Sequence, residues 1–274
     1  MERGVYRQFY ELERDHWWFK GMRAICRSQL ARVCGAATPG TLRCLDIGCG
    51  TGLWTRELEP LGPVWGLDIS PEALGYCQTR GLQRLIRGSA EQLPVADASC
   101  DIVTALGLLE HLDDDAAFVD ELARVCKPGG YVMLLTSAFR SLWSTHDDVV
   151  HHKRRYTKRE LRRLLGRKGF DVATLSYVNA FLLPAIVGVR LVQRLFAGED
   201  RMLPSRSPDV FRVPEPINRL LYACLWMEDQ VLQRVSLPWG VGLLAVMRRN
   251  GEPGRVARVV KRVNTCTEPQ LIAQ

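Results

Sequence analysis

The sequence predicts an α/β fold whose largely parallel sheet is covered on both faces, and three observations carry that reading. From Leu42 onward, short β-rich runs alternate with stretches of helical periodicity. Caps and breakers fall where such elements should begin and end. A glycine-rich turn directly follows the first strand, Leu45-Asp46-Ile47-Gly48-Cys49-Gly50-Thr51-Gly52.

Before the alternation begins, residues 5–33 place Phe9, Leu12, Trp17, Trp18, Met22, Ile25 and Leu30 at helical spacing, which predicts two helices or one bent one, ended by Pro39-Gly40. Strands are expected at Leu42–Ile47, Pro63–Leu67, Gln83–Arg87, Asp101–Leu106, Tyr131–Thr136 and Asp171–Tyr177. Ser70-Pro71-Glu72 supplies an N-cap, a proline at the first helical position and an acid in the first turn. Asp113-Asp114-Asp115 opens the helix through Phe118, Leu122 and Val125, and Pro128-Gly129-Gly130 stops it. Thr157-Lys158-Arg159-Glu160 reads as a capping box for a helix ending near Gly169. Five consecutive strand–helix units are the expectation.

Residues 179–238 interrupt this order with two apolar helical segments, around Leu182–Phe196 and Ile217–Val235, joined by the proline-bearing stretch Leu203–Pro216. So long a connection predicts a lid or a contact surface. Trp239–Met247 reads as a last strand, and the basic tail after Asn250 as disordered. The expected organisation is therefore an N-terminal helical arm at 1–40, a core at 41–178, a helical insertion at 179–238, a final core strand at 239–249 and a tail at 250–274.

The 274 residues are 47% hydrophobic and 24% charged, an ordinary globular composition that excludes disorder, collagen and coiled coil. Of the net charge of +7, residues 151–170 contribute +8 and residues 248–262 contribute +5, leaving −6 on the rest. The basic character belongs to two segments, and the chain is not read as a nucleic-acid-binding surface. The nine cysteines include no C-x-x-C pair, so neither a metal site nor a disulfide framework is expected. No signal-like apolar run follows the first charges, and the longest apolar stretch, Ala180–Val189, falls well short of the roughly 20 residues that span a bilayer. A cytoplasmic location with reduced thiols follows as an expectation.

The glycine turn lets a ligand touch backbone, because glycine admits positive φ and has no Cβ in the way. A dinucleotide fingerprint would need glycine at position 53, which is Leu53, and Asp46 would set an anion beside a pyrophosphate. A carboxylate there favours a cationic ligand. Asp68, 22 residues after Asp46, closes the second strand where an acid takes both ribose hydroxyls. Gly88-Ser89-Ala90-Glu91 closes the third, with polar groups able to read an adenine edge. A nucleoside that bears a positive charge and no phosphate meets these demands, and S-adenosylmethionine is such a compound.

This succession resembles the class I S-adenosylmethionine-dependent methyltransferases, in particular their broad small-molecule group. The residues that carry the likeness are Asp46 to Gly52, Asp68, Glu110-His111-Leu112 and Lys127-Pro128-Gly129-Gly130, within residues 41–178. The resemblance implies a Rossmann-like seven-stranded methyltransferase sheet. It also implies that Gly48, Cys49 and Gly50 give backbone to the methionine part of the donor, with Asp46 near its ammonium and Leu106 alongside. Asp68 would hold the ribose, Ile69 would pack on adenine, and Ser89, Ala90 and Glu91 would border it. The family often has Asp where this chain has Ser89.

The N-terminal arm, with Glu13, His16-Trp17-Trp18-Phe19 and Arg23, resembles an E-x-x-HWWF-x-x-x-R pattern in relatives of the same group. An aromatic face such as Trp18 can hold a sulfonium, and Arg23 can clamp a carboxylate; ordinary packing is the competing role for the tryptophans. His146-Asp147-Asp148 and His151-His152-Lys153-Arg154-Arg155-Tyr156 are similar to elements of those relatives too, and follow the fifth strand's carboxyl end. His152 or His111 is the expected general base, with Tyr156 in the catalytic set. The implied activity is methyl transfer from S-adenosylmethionine, leaving S-adenosylhomocysteine, to an O, N or C nucleophile of a small apolar or aromatic acceptor. Phe181, Leu182, Leu183, Tyr222, Leu225 and Trp226 would cover that acceptor, while a homodimer contact or peripheral membrane contact by the insertion stays open. The alternatives weighed are a nucleic-acid methyltransferase, which the Ala105-Leu106-Gly107-Leu108 turn disfavours, and a non-catalytic donor-binding protein.

Overall fold

A computed structural model describes residues 4–35, 40–166, 169–188 and 212–251. Two helices open it, α1 (Val5–Leu12) and α2 (Trp17–Cys34). They are separate because His16 turns extended and its ring Nδ1 accepts the Trp18 N–H at 3.3 Å, capping α2. The alternating part follows as β1 (Cys44–Ile47), α3 (Leu53–Leu58), β2 (Val64–Asp68), α4 (Pro71–Thr79), β3 (Leu85–Arg87) and β4 (Cys100–Leu106). Then come α5 (Asp115–Val125), β5 (Cys126–Ser137), α6 (Thr145–Val149), α7 (Lys158–Gly166), β6 (Phe170–Val178), α8 (Glu215–Leu232) and β7 (Gly242–Arg249).

The seven strands form one sheet in the order β3-β2-β1-β4-β5-β7-β6. The pairs among β1 to β5 are parallel, and β7 runs antiparallel between β5 and β6. Leu243 to Met247 of β7 have no exposure at all, as a strand covered on both faces requires. One face of the sheet packs under α5 and α7 through Phe118, Leu122, Leu161 and Leu165. The other packs under α2 and α8 through Ile25, Leu30, Leu225 and Leu232.

The predicted caps form. Ser70 Oγ accepts the Ala73 N–H at 3.3 Å, Asp114 accepts that of Ala117 at 2.9 Å, and Thr157 and Glu160 exchange capping bonds at 2.7 and 3.3 Å. Three expectations change. No helix follows β3: residues 88–99 form turns, held by the Arg124 guanidinium, which donates to the carbonyls of Leu93 and Val95 and to the Asp97 carboxylate at 2.6–2.8 Å. β5 begins at Cys126 and not after Gly130, the extra residues being taken up by an irregularity in its pairing with β4. The second insertion helix is α8, ending at Leu232 instead of continuing to Val235. Of the first, a helical turn at 183–188 is described; the rest of Leu182–Phe196, most of Leu203–Pro216 and the tail from 252 lie outside the described residues.

Within the insertion, α8 lies against α2. Gly21 provides the contact, since a Cβ there would collide with the Leu225 side chain. Asn218 ties the same pair, its Oδ1 accepting the Trp17 N–H at 2.8 Å and its Nδ2 donating to the Asp15 carbonyl at 2.9 Å. Buried Glu228 accepts the N–H groups of Asn179, Ala180 and Phe181 at 2.5, 2.7 and 3.0 Å, which fastens the exit of β6. Leu225, expected over a substrate, is core; Phe181 and Trp226 are exposed.

Candidate active site

At the carboxyl ends of β1 and β2, the chain must reverse tightly and keep backbone accessible. Gly48 (φ +69°) and Gly50 (φ +54°) take left-handed conformations that side chains rarely adopt. A Cβ on Gly48 would press on Leu108 at 3.0 Å, whereas one on Gly50 would meet nothing within 4 Å. Gly48 therefore allows the turn to lie against the β4 loop, and Gly50 borders open space.

Asp68 ties this turn to β2. One carboxylate oxygen accepts the Gly50 N–H at 3.0 Å and the other the Ser70 N–H at 2.9 Å. Each oxygen keeps a lone pair for a hydroxyl donor. Burial raises the Asp68 carboxyl above its usual range, with these backbone N–H groups acting against that. Asp46 sits deeper: it is 2% exposed, accepting the hydroxyls of Thr55 at 2.6 Å and Thr104 at 2.8 Å. Burial without a cation pushes its carboxyl up to about 7, the two hydroxyls opposing. Its described bonds join β1, α3 and β4. Ile69, just past β2, is 67% exposed, a large apolar side chain left bare at the mouth of the turn.

The arm lies across this region. Burial next to Asp68 pushes the Tyr6 phenol up to about 12, and Tyr6 hydrogen-bonds Ser70. The ring of Tyr10 lies 4.8 Å from that of Tyr76, with the Arg80 guanidinium over it at 4.2 Å. Arg80 also donates to the Thr51 carbonyl at 2.8 Å and to the Glu13 carboxylate at 2.5 Å, and the Thr51 hydroxyl donates to Glu13. Tyr6, Tyr10 and Arg80 escaped the sequence reading, because contacts among residues this far apart leave no local spacing. Arg23 pairs with Glu57 at 2.7 Å and donates to the Glu13 carbonyl, so its guanidinium is engaged within the arm and α3. Trp18 is half-buried against the α2–α8 side of the core, edge-on to Phe19 at 5.0 Å.

Ser89, Ala90 and Glu91 follow β3. The Ser89 hydroxyl accepts the Glu91 N–H at 3.2 Å, Ala90 is buried, and Glu91 accepts the N–H groups of Asp113 and Asp114, each at 2.9 Å. Glu91 thereby fixes the loop that carries His111.

A second cluster closes the carboxyl ends of β4 and β5, beyond Leu106. Buried Glu110 accepts from the Thr136 hydroxyl at 2.8 Å and from the Ser137 N–H and hydroxyl at 3.2 and 3.1 Å. The rings of His111 and His152 meet edge to face at 4.7 Å. His111 Nδ1 faces the His151 carbonyl at 3.3 Å, which assigns the proton to Nδ1 and leaves Nε2 the acceptor. Burial and the neighbouring His152 lower the basicity of His111, with Glu110 opposing, so it is neutral at neutral pH. His152 Nδ1 lies 2.7 Å from the Asp147 carboxylate, which the Arg155 fork also grips at 2.8 and 3.0 Å. Those partners hold Asp147 well below the usual carboxylate range against its burial. Tyr156 has a different neighbourhood: it is buried in the core, its hydroxyl donates to Asp115 at 2.8 Å, and burial plus that carboxylate push the phenol far up. Leu108 links the two clusters through its approach to Gly48. Among the described residues no group of acids, histidines and cysteines is arranged to hold a metal.

The residues fit S-adenosylmethionine on these observations. Gly50 opens on free space, Asp68 has acceptor capacity for two hydroxyls, Ile69 presents a bare apolar face, and among the described residues no Lys or Arg is bonded to the glycine turn's carboxylates Asp46 and Asp68.

Residues 45–134 match the family model described as a methyltransferase domain. A probable S-adenosylmethionine-dependent methyltransferase of Mycolicibacterium smegmatis is 31% identical over 166 residues, covering 59% of this chain and 62% of its own length. A ubiquinone biosynthesis O-methyltransferase of Burkholderia vietnamiensis is 34% identical over 133 residues, 44% of this chain and 57% of the relative. The chain thus spans less than two thirds of the curated relatives it matches. Among solved structures, a putative sarcosine dimethylglycine methyltransferase from Galdieria sulphuraria superposes with a TM-score of 0.55 at 17% identity, over 84% of this chain and 85% of that one. Phosphoethanolamine N-methyltransferase 2 of Haemonchus contortus, solved with S-adenosylmethionine, gives 0.53 at 17%, over 85% and 53%. With the glycine turn, the acid closing β2 and the seven-stranded sheet with its antiparallel β7 all in place, residues 45–134 match a methyltransferase domain and the chain has the fold of the class I S-adenosylmethionine-dependent methyltransferases.

Proposed function

We propose that this chain transfers a methyl group to a nucleophile of a small molecule, with oxygen the favoured atom. The observation that carries the reading is the adjacency of a glycine-lined, Asp68-closed pocket and the His111–His152 ring pair, in which burial lowers the basicity of His111, on one sheet edge. When bound, S-adenosylmethionine supplies a methyl already activated by its sulfonium. The chain then has to orient the partners and exclude water. Gly48, Cys49 and Gly50 offer backbone, Asp68 takes the ribose hydroxyls and Ile69 covers the adenine. His111, or His152 with its Nδ1 proton directed to Asp147, accepts the proton of a hydroxyl as the oxygen is methylated. Support for oxygen comes from the need for a base, since a hydroxyl arrives protonated, and from the relatives named as O-methyltransferases.

The basic run at 153–155 is matched by acids, Lys153 to Asp113 at 2.5 Å, Arg154 to Asp115 at 2.9 Å and Arg155 to Asp147 at 2.8 Å, which weakens the argument for a nucleic-acid substrate at this edge of the site. No helix among the described residues is long and apolar enough to cross a membrane. Exposed Ile217, Leu220, Trp226 and Met227 on α8 support a surface contact by that helix with a second copy or a membrane surface; sedimentation and vesicle flotation decide between them.

A panel of phenols, catechols and alcohols, incubated with S-adenosylmethionine and read by mass spectrometry, should show one acceptor gaining the mass of a methylene while S-adenosylhomocysteine accumulates. His111→Ala or His152→Ala should then lower turnover about a hundredfold with S-adenosylhomocysteine affinity kept. Normal turnover in both variants removes the base assignment; no acceptor-dependent S-adenosylhomocysteine removes the enzymatic reading.

A further inference from the structure

The outer edge of β6 bears a groove of about 430 Å³ that the methyl-transfer reading does not use. It lies four strand spacings from β1, about 19 Å across the sheet. Its floor is residues 172–175 of β6, and its walls come from both faces of the sheet. Arg162 of α7 stands on one face. Arg32 of α2 and Arg234, just past α8, stand on the other.

Three properties of this groove point to one kind of occupant. First, β6 is the last strand of the sheet, and on its outer side the described residues supply one bridge only, Tyr177 to Leu237. Tyr177 sends its N–H outward to the Leu237 carbonyl at 3.4 Å. By the two-residue alternation of an antiparallel strand, Leu175 also turns its N–H and carbonyl to that side. Second, among the described residues the lining holds three arginines and no acid. Arg32 donates to the Gln29 side chain and the Leu232 carbonyl, and Arg234 to the Gln230 carbonyl. Arg162 has no ion pair among the described residues, and all three side chains are exposed. Third, the charges are split between the faces. Side chains of a strand added to this edge would point alternately to the two faces, reaching Arg162 in one direction and Arg32 and Arg234 in the other. A compact anion would engage one face at a time, whereas an extended chain with alternating carboxylates engages both. Thr174 and Ser236 add hydroxyls, and Val172 and Val235 add apolar contact between the charges.

We propose that this edge docks an extended acidic peptide segment, which pairs main chain to main chain with β6 and places its carboxylates on Arg162, Arg32 and Arg234. Edge-strand addition supplies affinity through backbone bonds, and the arginine forks supply selectivity for acidic sequence.

The test uses the full chain and a fluorescein-labelled octapeptide of alternating Glu and Val, followed by anisotropy. Saturable binding that weakens steeply with salt is expected, together with slowed hydrogen exchange at residues 173–175. The variant carrying Arg32→Gln, Arg162→Gln and Arg234→Gln should bind at least about tenfold more weakly. The same peptide N-methylated at alternate amides keeps its charge but loses edge pairing, and should weaken comparably. Four outcomes overturn the proposal: no binding of the octapeptide, equal binding by the arginine variant, equal binding of the N-methylated peptide, or inorganic tripolyphosphate binding as tightly as the peptide. Because S-adenosylhomocysteine titrations of the same variant report the donor pocket separately, failure here leaves the methyltransferase reading intact.

Discussion

The two halves of the sheet edge are built on different physical principles. On the β1–β2 side the cradle is backbone: Gly48 and Gly50 in left-handed conformations, N–H groups on Asp68, and a carboxyl, Asp46, held by the hydroxyls of Thr55 and Thr104 and pushed up to about 7. On the β4–β5 side the cluster is side chain against side chain, with Asp147 gripped by His152 and Arg155 and Glu110 satisfied by Thr136 and Ser137. The first half leaves a carboxyl undercompensated, ready for a cation. The second compensates its charges internally, keeps His111 neutral and holds His152 oriented on Asp147. A donor that brings its own charge and an acceptor that must lose a proton would require such a division.

The sharpest way to break this contrast is Asp147→Ala. It strands the buried Arg155 guanidinium and should cost about 3–5 kcal/mol in thermal or urea unfolding, while affinity for S-adenosylhomocysteine in the folded protein changes by less than about threefold. Unchanged stability would show that the pair does not hold this half together. Next in size, Gly50→Val sets a β-branched residue at φ +54° with its Cβ in the open space, and should weaken S-adenosylhomocysteine binding about a hundredfold by calorimetry while Asp147–Arg155 is untouched. The smallest effect concerns pH. If Asp46 serves the ligand ammonium, binding favours its ionised form, and S-adenosylhomocysteine affinity should rise about tenfold from pH 6 to pH 8, with Asp46→Asn flattening the profile. The stability sign is opposite. A carboxyl whose pKa is raised by folding binds its proton more tightly in the native state, so the ligand-free fold should lose stability as pH climbs from the ordinary carboxyl range towards 7. A rise in ligand-free stability over that window would contradict the burial of an uncompensated acid.

The same contrast explains what could be read from the sequence. The glycine turn, Asp68 and the caps of α4, α5 and α7 are local: each is a spacing of a few residues tied to one backbone conformation, so the pattern carries the geometry. The absence of a helix after β3 was not legible, because the groups that hold residues 88–99 as turns belong to Arg124 on a later helix. Nor was the engagement of Arg23 with Glu57, or the burial of Tyr156 beside Asp115, since those partners lie 34 and 41 residues away. His152 and His111 could be named from their positions after strands, but Asp147 as the partner that fixes the ring appears only once α6 folds back.

The insertion of β7 between β5 and β6 also has a bearing on biogenesis. While residues up to 241 are emerging from the ribosome, β5 and β6 have no strand to separate and join them, and the sheet carries two adjacent open margins. Gly242–Arg249 seals both at once, so the last step of assembly closes a long chain loop and makes two ladders together. Nascent chains stalled before that point should be the species most dependent on chaperones, whatever chemistry the finished pocket performs.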